Sequence, residues 1–131
     1  MRPLLGCAVL GLTLLAGNAC GSPAASCQDA ERGLLDAIAR GAMGAAAFEV
    51  VSGKTVQSPD DDKVYVVAAK TKAADGTEKT GVWATSNLAG EGVLLSVDDT
   101  AKKLTTYGDA ATASVGITGG DAVVSDVRNC L

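Results

Sequence analysis

Apolar and polar positions sort the chain into short segments, and the densest apolar signal lies between Val64 and Trp83. Val64-Tyr65-Val66-Val67-Ala68-Ala69 and Gly81-Val82-Trp83-Ala84 flank Asp75-Gly76, a dipeptide that tolerates the positive φ of tight turns. The spacing predicts a β-hairpin. An even loop centred on Asp75-Gly76 sets Ala68 opposite Trp83 and Val67 opposite Ala84, a small residue against the ring. The same register sets Lys72 against Lys79, an unfavourable pair at which the ladder frays. Val64 to Ala69 is apolar at both alternating sets of positions, so this strand is central and covered on both faces.

Around the hairpin the pattern changes period. Ala30, Leu34 and Ile38 recur at helical spacing, with Leu35 beside them, Asp29 and Glu31 early and Arg40 late. Ser26 and Asp29 have the spacing of a capping box, and Gly41 is a natural stop. Gly33 inside this helix is a mild cost. Gly41 to Ala47 reads as a loop, Ala47–Ser52 as a first strand, and Gly53–Lys63 as a polar connection. Val93–Val97 is a last strand after the Ala89-Gly90-Glu91-Gly92 turn. Asp98 to Tyr107 has two solutions, a short helix capped by Asp98 or a hairpin turn into a strand Lys103–Tyr107; the order of acids before lysines favours the helix. Residues 108–120 carry no clear period. Asp121–Asn129 closes the chain as a helix with Val123, Val127 and Cys130 on one face. The expected fold is α+β: an antiparallel meander of three to four strands, with the N- and C-terminal helices packed on one face and joined by a disulfide.

The first residues change where that domain is placed. Met1-Arg2, the apolar run Leu4–Leu15 and the small residues after it have the layout of an export signal, too short for a stable membrane span. Residues 1–25 are assigned to this leader and 26–131 to a single small domain. Ala19-Cys20-Gly21-Ser22 resembles the cleavage site of bacterial lipoproteins, which makes Cys20 the lipid-bearing residue of a membrane-anchored chain. It departs from that pattern at Gly17, where a branched apolar residue is usual. The alternative is plain secretion with a cut near Ala24 or Ala25. Either way Cys27 and Cys130 remain, one at each end of the domain, and an exported pair of this kind is expected to be bonded. With Cys27 at the start of the first helix, the bond requires the two helices to lie side by side.

Composition then removes function classes. Across 131 residues there is no histidine, which takes away the commonest general base and metal ligand. Net charge is −4 and aromatics are 3%, against a nucleic-acid footprint or stacking platforms. Asp60-Asp61-Asp62 lacks the spacing of a calcium loop, and a solvated loop explains it better. Thr118-Gly119-Gly120 has the composition of a small anion nest but also of ordinary helix punctuation. Lys70, Lys72 and Lys79, with Asp75 and Glu78, form either a contact patch or a charged sheet end that discourages edge pairing. Trp83 suits the core better than a ligand platform. Ser86, Ser96 and Ser114 have no histidine to activate them. No catalytic, cofactor-binding or metal residues are assigned.

The segments Val64–Lys70, Thr80–Thr85 and Val97–Lys102, with the high Ala, Gly and Val content, resemble small secreted proteins or lipoproteins of actinomycete bacteria. That resemblance implies no activity. The expected function is a non-enzymatic extracytoplasmic domain, membrane-tethered, that binds an unknown envelope or secreted protein or serves structurally. The alternative is a disulfide-stapled inhibitor or immunity-type protein acting on a secreted enzyme.

Overall fold

The computed structural model describes residues 27–42 and 47–131. The expected leader, with Cys20, and most of the loop before the first long strand lie outside the described residues. The element order is β1 (Gln28–Asp29), α1 (Arg32–Arg40), β2 (Phe48–Gln57), β3 (Tyr65–Ala73), β4 (Glu78–Thr85), β5 (Leu94–Ser96), α2 (Asp99–Leu104), β6 (Gly108–Asp109), a 3₁₀ turn (Ala110–Thr112) and α3 (Ala122–Arg128). One six-stranded sheet follows chain order from β1 to β6, antiparallel except for the parallel β5–β6 pair. The α+β class and the meander are as expected: β2 to β5 form it, and two-residue strands extend it at both edges.

The central hairpin buries both faces, as its apolar pattern requires. Val66, Val67, Ala68 and Ala69 are all inaccessible to solvent. Alternation then sends their side chains into two separate cores. Val67, Ala69 and Trp83 pack with Leu34 and Ile38 of α1 and with Ala101 and Leu104 of α2. Val66, Ala68, Val82 and Ala84 pack with Val123, Val124 and Val127 of α3. The terminal helices therefore lie on opposite faces of the sheet, not together on one. A strand apolar on both sides needs two covers, and these helices supply one each.

The disulfide forms nonetheless, between Cys27 and Cys130, with Cα atoms 6.3 Å apart. It needs no side-by-side helices, because Cys27 does not begin α1. Gln28 and Asp29 pair instead with Thr55 and Lys54, and the helix starts only at Arg32. Its N-cap is Glu31, which makes no side-chain capping bond; of the expected box, Asp29 lies in β1 and Ser26 is outside the described residues. The bond ties one sheet edge to the end of the helix on the α3 face.

The hairpin register differs by one residue from the even-loop expectation. Trp83 stands opposite Val67, and Ala68 opposite Val82. The turn has three loop residues: the Ala73 N–H donates to Thr77 at 2.8 Å, and Gly76 (φ 90°) donates to Ala73 at 2.9 Å. A type I turn followed by one left-handed glycine is the usual geometry of such loops. This odd loop replaces the Lys72–Lys79 clash with an opposed Lys72–Glu78 pair. Strand β2 also runs past its expected end at Ser52 to Gln57, after a register shift between Val50 and Ser52. Of the two solutions after Asp98, the helix forms: the Asp98 carboxylate accepts from the Ala101 N–H at 2.8 Å, with Lys102 and Lys103 in the last turn.

Candidate functional site

Each polar feature singled out in the sequence has an internal partner or lies dispersed. In the Asp60–Asp62 loop, Asp61 accepts from the Lys63 N–H at 2.9 Å, and the Asp62 carbonyl accepts from Gln57 Nε2 at 2.8 Å. Among the described residues no group of three or more acidic or cysteine side chains stands close enough to hold a metal ion. At Thr118, the backbone N–H and Oγ1 both donate to the Asp121 carboxylate, at 3.1 and 3.2 Å. The chain's own carboxylate thus fills the place an anion would take.

The three lysines do not form one patch. Lys79 is opposite Thr71 in the register, whereas Lys70 and Lys72 sit at alternate positions whose partners, Thr80 and Glu78, share the other face. Trp83 is fully buried, and its Nε1 donates to Thr105 Oγ1 at 3.0 Å. Ser96 belongs to the same network, 3.2 Å from Thr105 Oγ1 and 3.2 Å from the Tyr107 carbonyl oxygen. Ser86 Oγ accepts from the Val93 N–H, and Ser114 is exposed.

The group that sequence reasoning undervalued is Asp98. It is 6% exposed and accepts from the amides of Val82 (3.1 Å) and Ala101, while pairing with Arg128. One carboxylate therefore joins β4, α2 and α3. Only its capping role was legible, because Val82 and Arg128 are distant in the chain. A polar hollow of about 330 Å³ opens beside it, between Asp99, Thr100, Lys102 and Arg128. Its buried acid, Asp98, already accepts from two amides and pairs with Arg128.

The better-formed concavity, about 400 Å³, lies at the hairpin end of the sheet. Phe48 and Leu104 provide apolar surface, and Thr71, Asp75, Thr77 and Lys79 provide polar atoms. Phe48 is half-buried against the α1–α2 core. Thr71 Oγ1 donates to the Lys79 carbonyl at 2.9 Å, and Asp75 accepts from the Thr77 N–H at 2.9 Å. That amide bond, with the Thr77 side chain and the nearby Lys79 charge, holds the exposed Asp75 carboxyl below its ordinary value. The turn is thereby fixed, and its polar groups are committed to it. Of the charged groups in its wall, the Asp75 carboxylate is held by the Thr77 amide of the turn, beside the Lys79 charge.

Comparison of the chain with protein families, with curated proteins and with solved structures found no match. The disulfide is of the kind that persists in oxidising compartments. Among the described residues no helix is long and apolar enough to cross a membrane.

Proposed function

We propose that the chain is an extracytoplasmic, lipid-tethered binding domain, anchored at Cys20, whose hairpin-end cleft receives an apolar side chain of another envelope or secreted protein. The role is non-enzymatic, in keeping with the lack of histidine and the resemblance to actinomycete lipoproteins. The observation that carries it is the position of the cleft relative to the tether. Six residues separate Cys20 from Cys27. Cys27 adjoins Gln28, which pairs with Thr55, and Thr55 in turn is opposite Val67. From Val67 to the turn at Ala73 the strand rises about 20 Å. Along the strands the cleft thus lies about 20 Å from the level of Gln28, beside Cys27, the described residue nearest the proposed anchor.

The test is a photo-crosslinker at Thr77 in intact cells, with exposed Ser125 of α3 as the control position. A partner captured from Thr77 but not from Ser125, and lost on Phe48→Asp, supports the reading. Equal capture from both positions overturns it. For the anchor, Cys20→Ala releases the protein into the medium, and labelled fatty acid enters only the wild type. Equal release of both, with a mature N-terminus at or after Ala25, overturns the tether.

One observation favours the inhibitor alternative. The loop after β4 is braced from within: Asn87 Oδ1 accepts from the Ala89 N–H at 2.7 Å, and Ser86 Oγ accepts from Val93 at 3.2 Å. Val93 is 60% exposed at its end. Blockade of a secreted enzyme by the purified protein, abolished by Val93→Asp, supports this reading in place of the first.

A further inference from the structure

Strand β2 is ten residues long, yet its outer edge is paired only at Thr55 and Lys54, by the two residues of β1. A bond from the Ala30 N–H to the Gly53 carbonyl, 3.0 Å, completes that cover. Among the described residues no strand lies against the edge from Phe48 to Ser52. Both residues of β1 are exposed, and the Asp29–Lys54 ion pair that helps to hold them is also at the surface. So short a strand, without apolar burial, has little hold of its own. The Cys27–Cys130 bond is its firm attachment.

The edge beneath this strap is self-complementary. When a second copy of β2 is laid antiparallel, with the two-fold between Val51 and Ser52, Glu49 faces Lys54 in both halves. Phe48 then faces Thr55, and Val50 faces Gly53. Five positions separate Glu49 from Lys54, so in a regular strand their side chains would project to opposite faces. The register shift between Val50 and Ser52 removes that mismatch: Glu49 is opposite Lys72 and Lys54 opposite Ala68, and these two β3 residues share a face. Hydrogen bonding agrees as well. The Gly53 carbonyl points outward, since it accepts from Ala30. By the same alternation, corrected for the bulge, Val50 points outward to meet it. Bulges usually blunt edges; this one lies on the two-fold and meets its own copy, with Val51 49% exposed at the centre. In the strapped chain, Asp29 occupies the Lys54 charge that the second copy's Glu49 would take.

We propose that β1 is a disulfide-strapped cover over a homodimerisation edge, and that opening the Cys27–Cys130 bond lets two copies pair through β2. The opening is a two-electron exchange with a dithiol reductant. The Sγ–Sγ bond breaks and gains two electrons and two protons, and the reductant's two thiols lose them and close to a disulfide. Released from Cys130, Gln28 and Asp29 lift away at Ala30 and Glu31, while α1 and α3 keep their packing on the two cores.

The test is sedimentation equilibrium of the cell-processed protein over a concentration series, with and without dithiothreitol, while Trp83 fluorescence reports the fold. The oxidised protein sediments at the mass of one chain. The reduced protein, with Trp83 still buried, rises toward twice that mass, and Cys27→Ser does so without reductant. Glu49→Lys or Lys54→Glu alone abolishes the rise, and the two together restore it. Several outcomes overturn the proposal: reduced protein that stays folded at one chain mass, association independent of the disulfide, charge swaps without effect, or loss of the buried Trp83 signal on reduction.

Discussion

Replacing Cys27 by serine isolates the contribution of the disulfide better than replacing Cys130. Cys27 is exposed, whereas Cys130 is half-buried against the α3 core, and its truncation also removes packing. The bonded residues are 103 apart in sequence, so reduction frees nearly the whole domain in the unfolded state. The chain-entropy relation gives about 4.7 kcal/mol for a loop of roughly 100 residues. Unfolding entropy for a domain of about 100 residues is roughly 0.2 kcal/mol/K, which converts that loss into about 20 °C of melting temperature. Residual structure in the denatured chain lowers the effect, so a fall of about 10–20 °C is expected. Trp83 is the only tryptophan and is fully buried, so its fluorescence follows the transition directly. The Cys27→Ser, Cys130→Ser double variant should melt close to the Cys130→Ser protein. A Cys27→Ser protein that melts within about 2 °C of wild type would refute the entropic argument. Two alkylated thiols at Cys27 and Cys130 in protein isolated under non-reducing conditions would refute the bond itself.

Further consequences are open to direct measurement. Asp98→Ala removes a helix cap and leaves the Val82 amide and Arg128 without their acceptor, for a loss of about 3 kcal/mol in urea unfolding; Arg128→Ala costs less, because the two amides keep the carboxylate satisfied. Gly76 has φ 90° with nothing near a Cβ position, so Gly76→Ala isolates the backbone penalty of about 1 kcal/mol, and no loss at all would contradict the turn. In the folded chain the carboxyls of Asp29, Asp75 and Asp109 are held below the ordinary carboxylate value, through hydrogen bonds from Lys54, Thr77 and Ala111 respectively and through neighbouring lysines. Their folded values are depressed, so the stability they contribute is whole above the unfolded value and is lost as pH falls through the folded ones. The urea midpoint should therefore hold between about pH 7 and 5 and fall below about pH 4, less steeply in Asp75→Asn. A midpoint that rises on acidification would reverse the sign of the argument.

The chain by itself determined those features that depend on near neighbours. The hairpin, the central place of Val64–Ala69 and the final helix follow from apolar period, and the Asp98 cap from one side chain and the amide three residues on. The cysteine pair followed from the count and from an expected export signal. What needed tertiary structure was whatever depends on groups far apart. The terminal helices took opposite faces because β3 is apolar on both, which says how many covers are needed but not which helix supplies each. Gln28 and Asp29 became an edge strand because β2 continued through Gly53, Lys54 and Thr55, polar residues that resemble a loop until a partner strand satisfies their amides. Gly33, a mild cost by helix propensity, is required by close approach, since a Cβ there would meet the Ala89 carbonyl oxygen. The cleft beside Phe48 and Leu104 is of the same kind. Its walls are 56 positions apart in the chain, and only the folding of α2 back across the sheet brings them together.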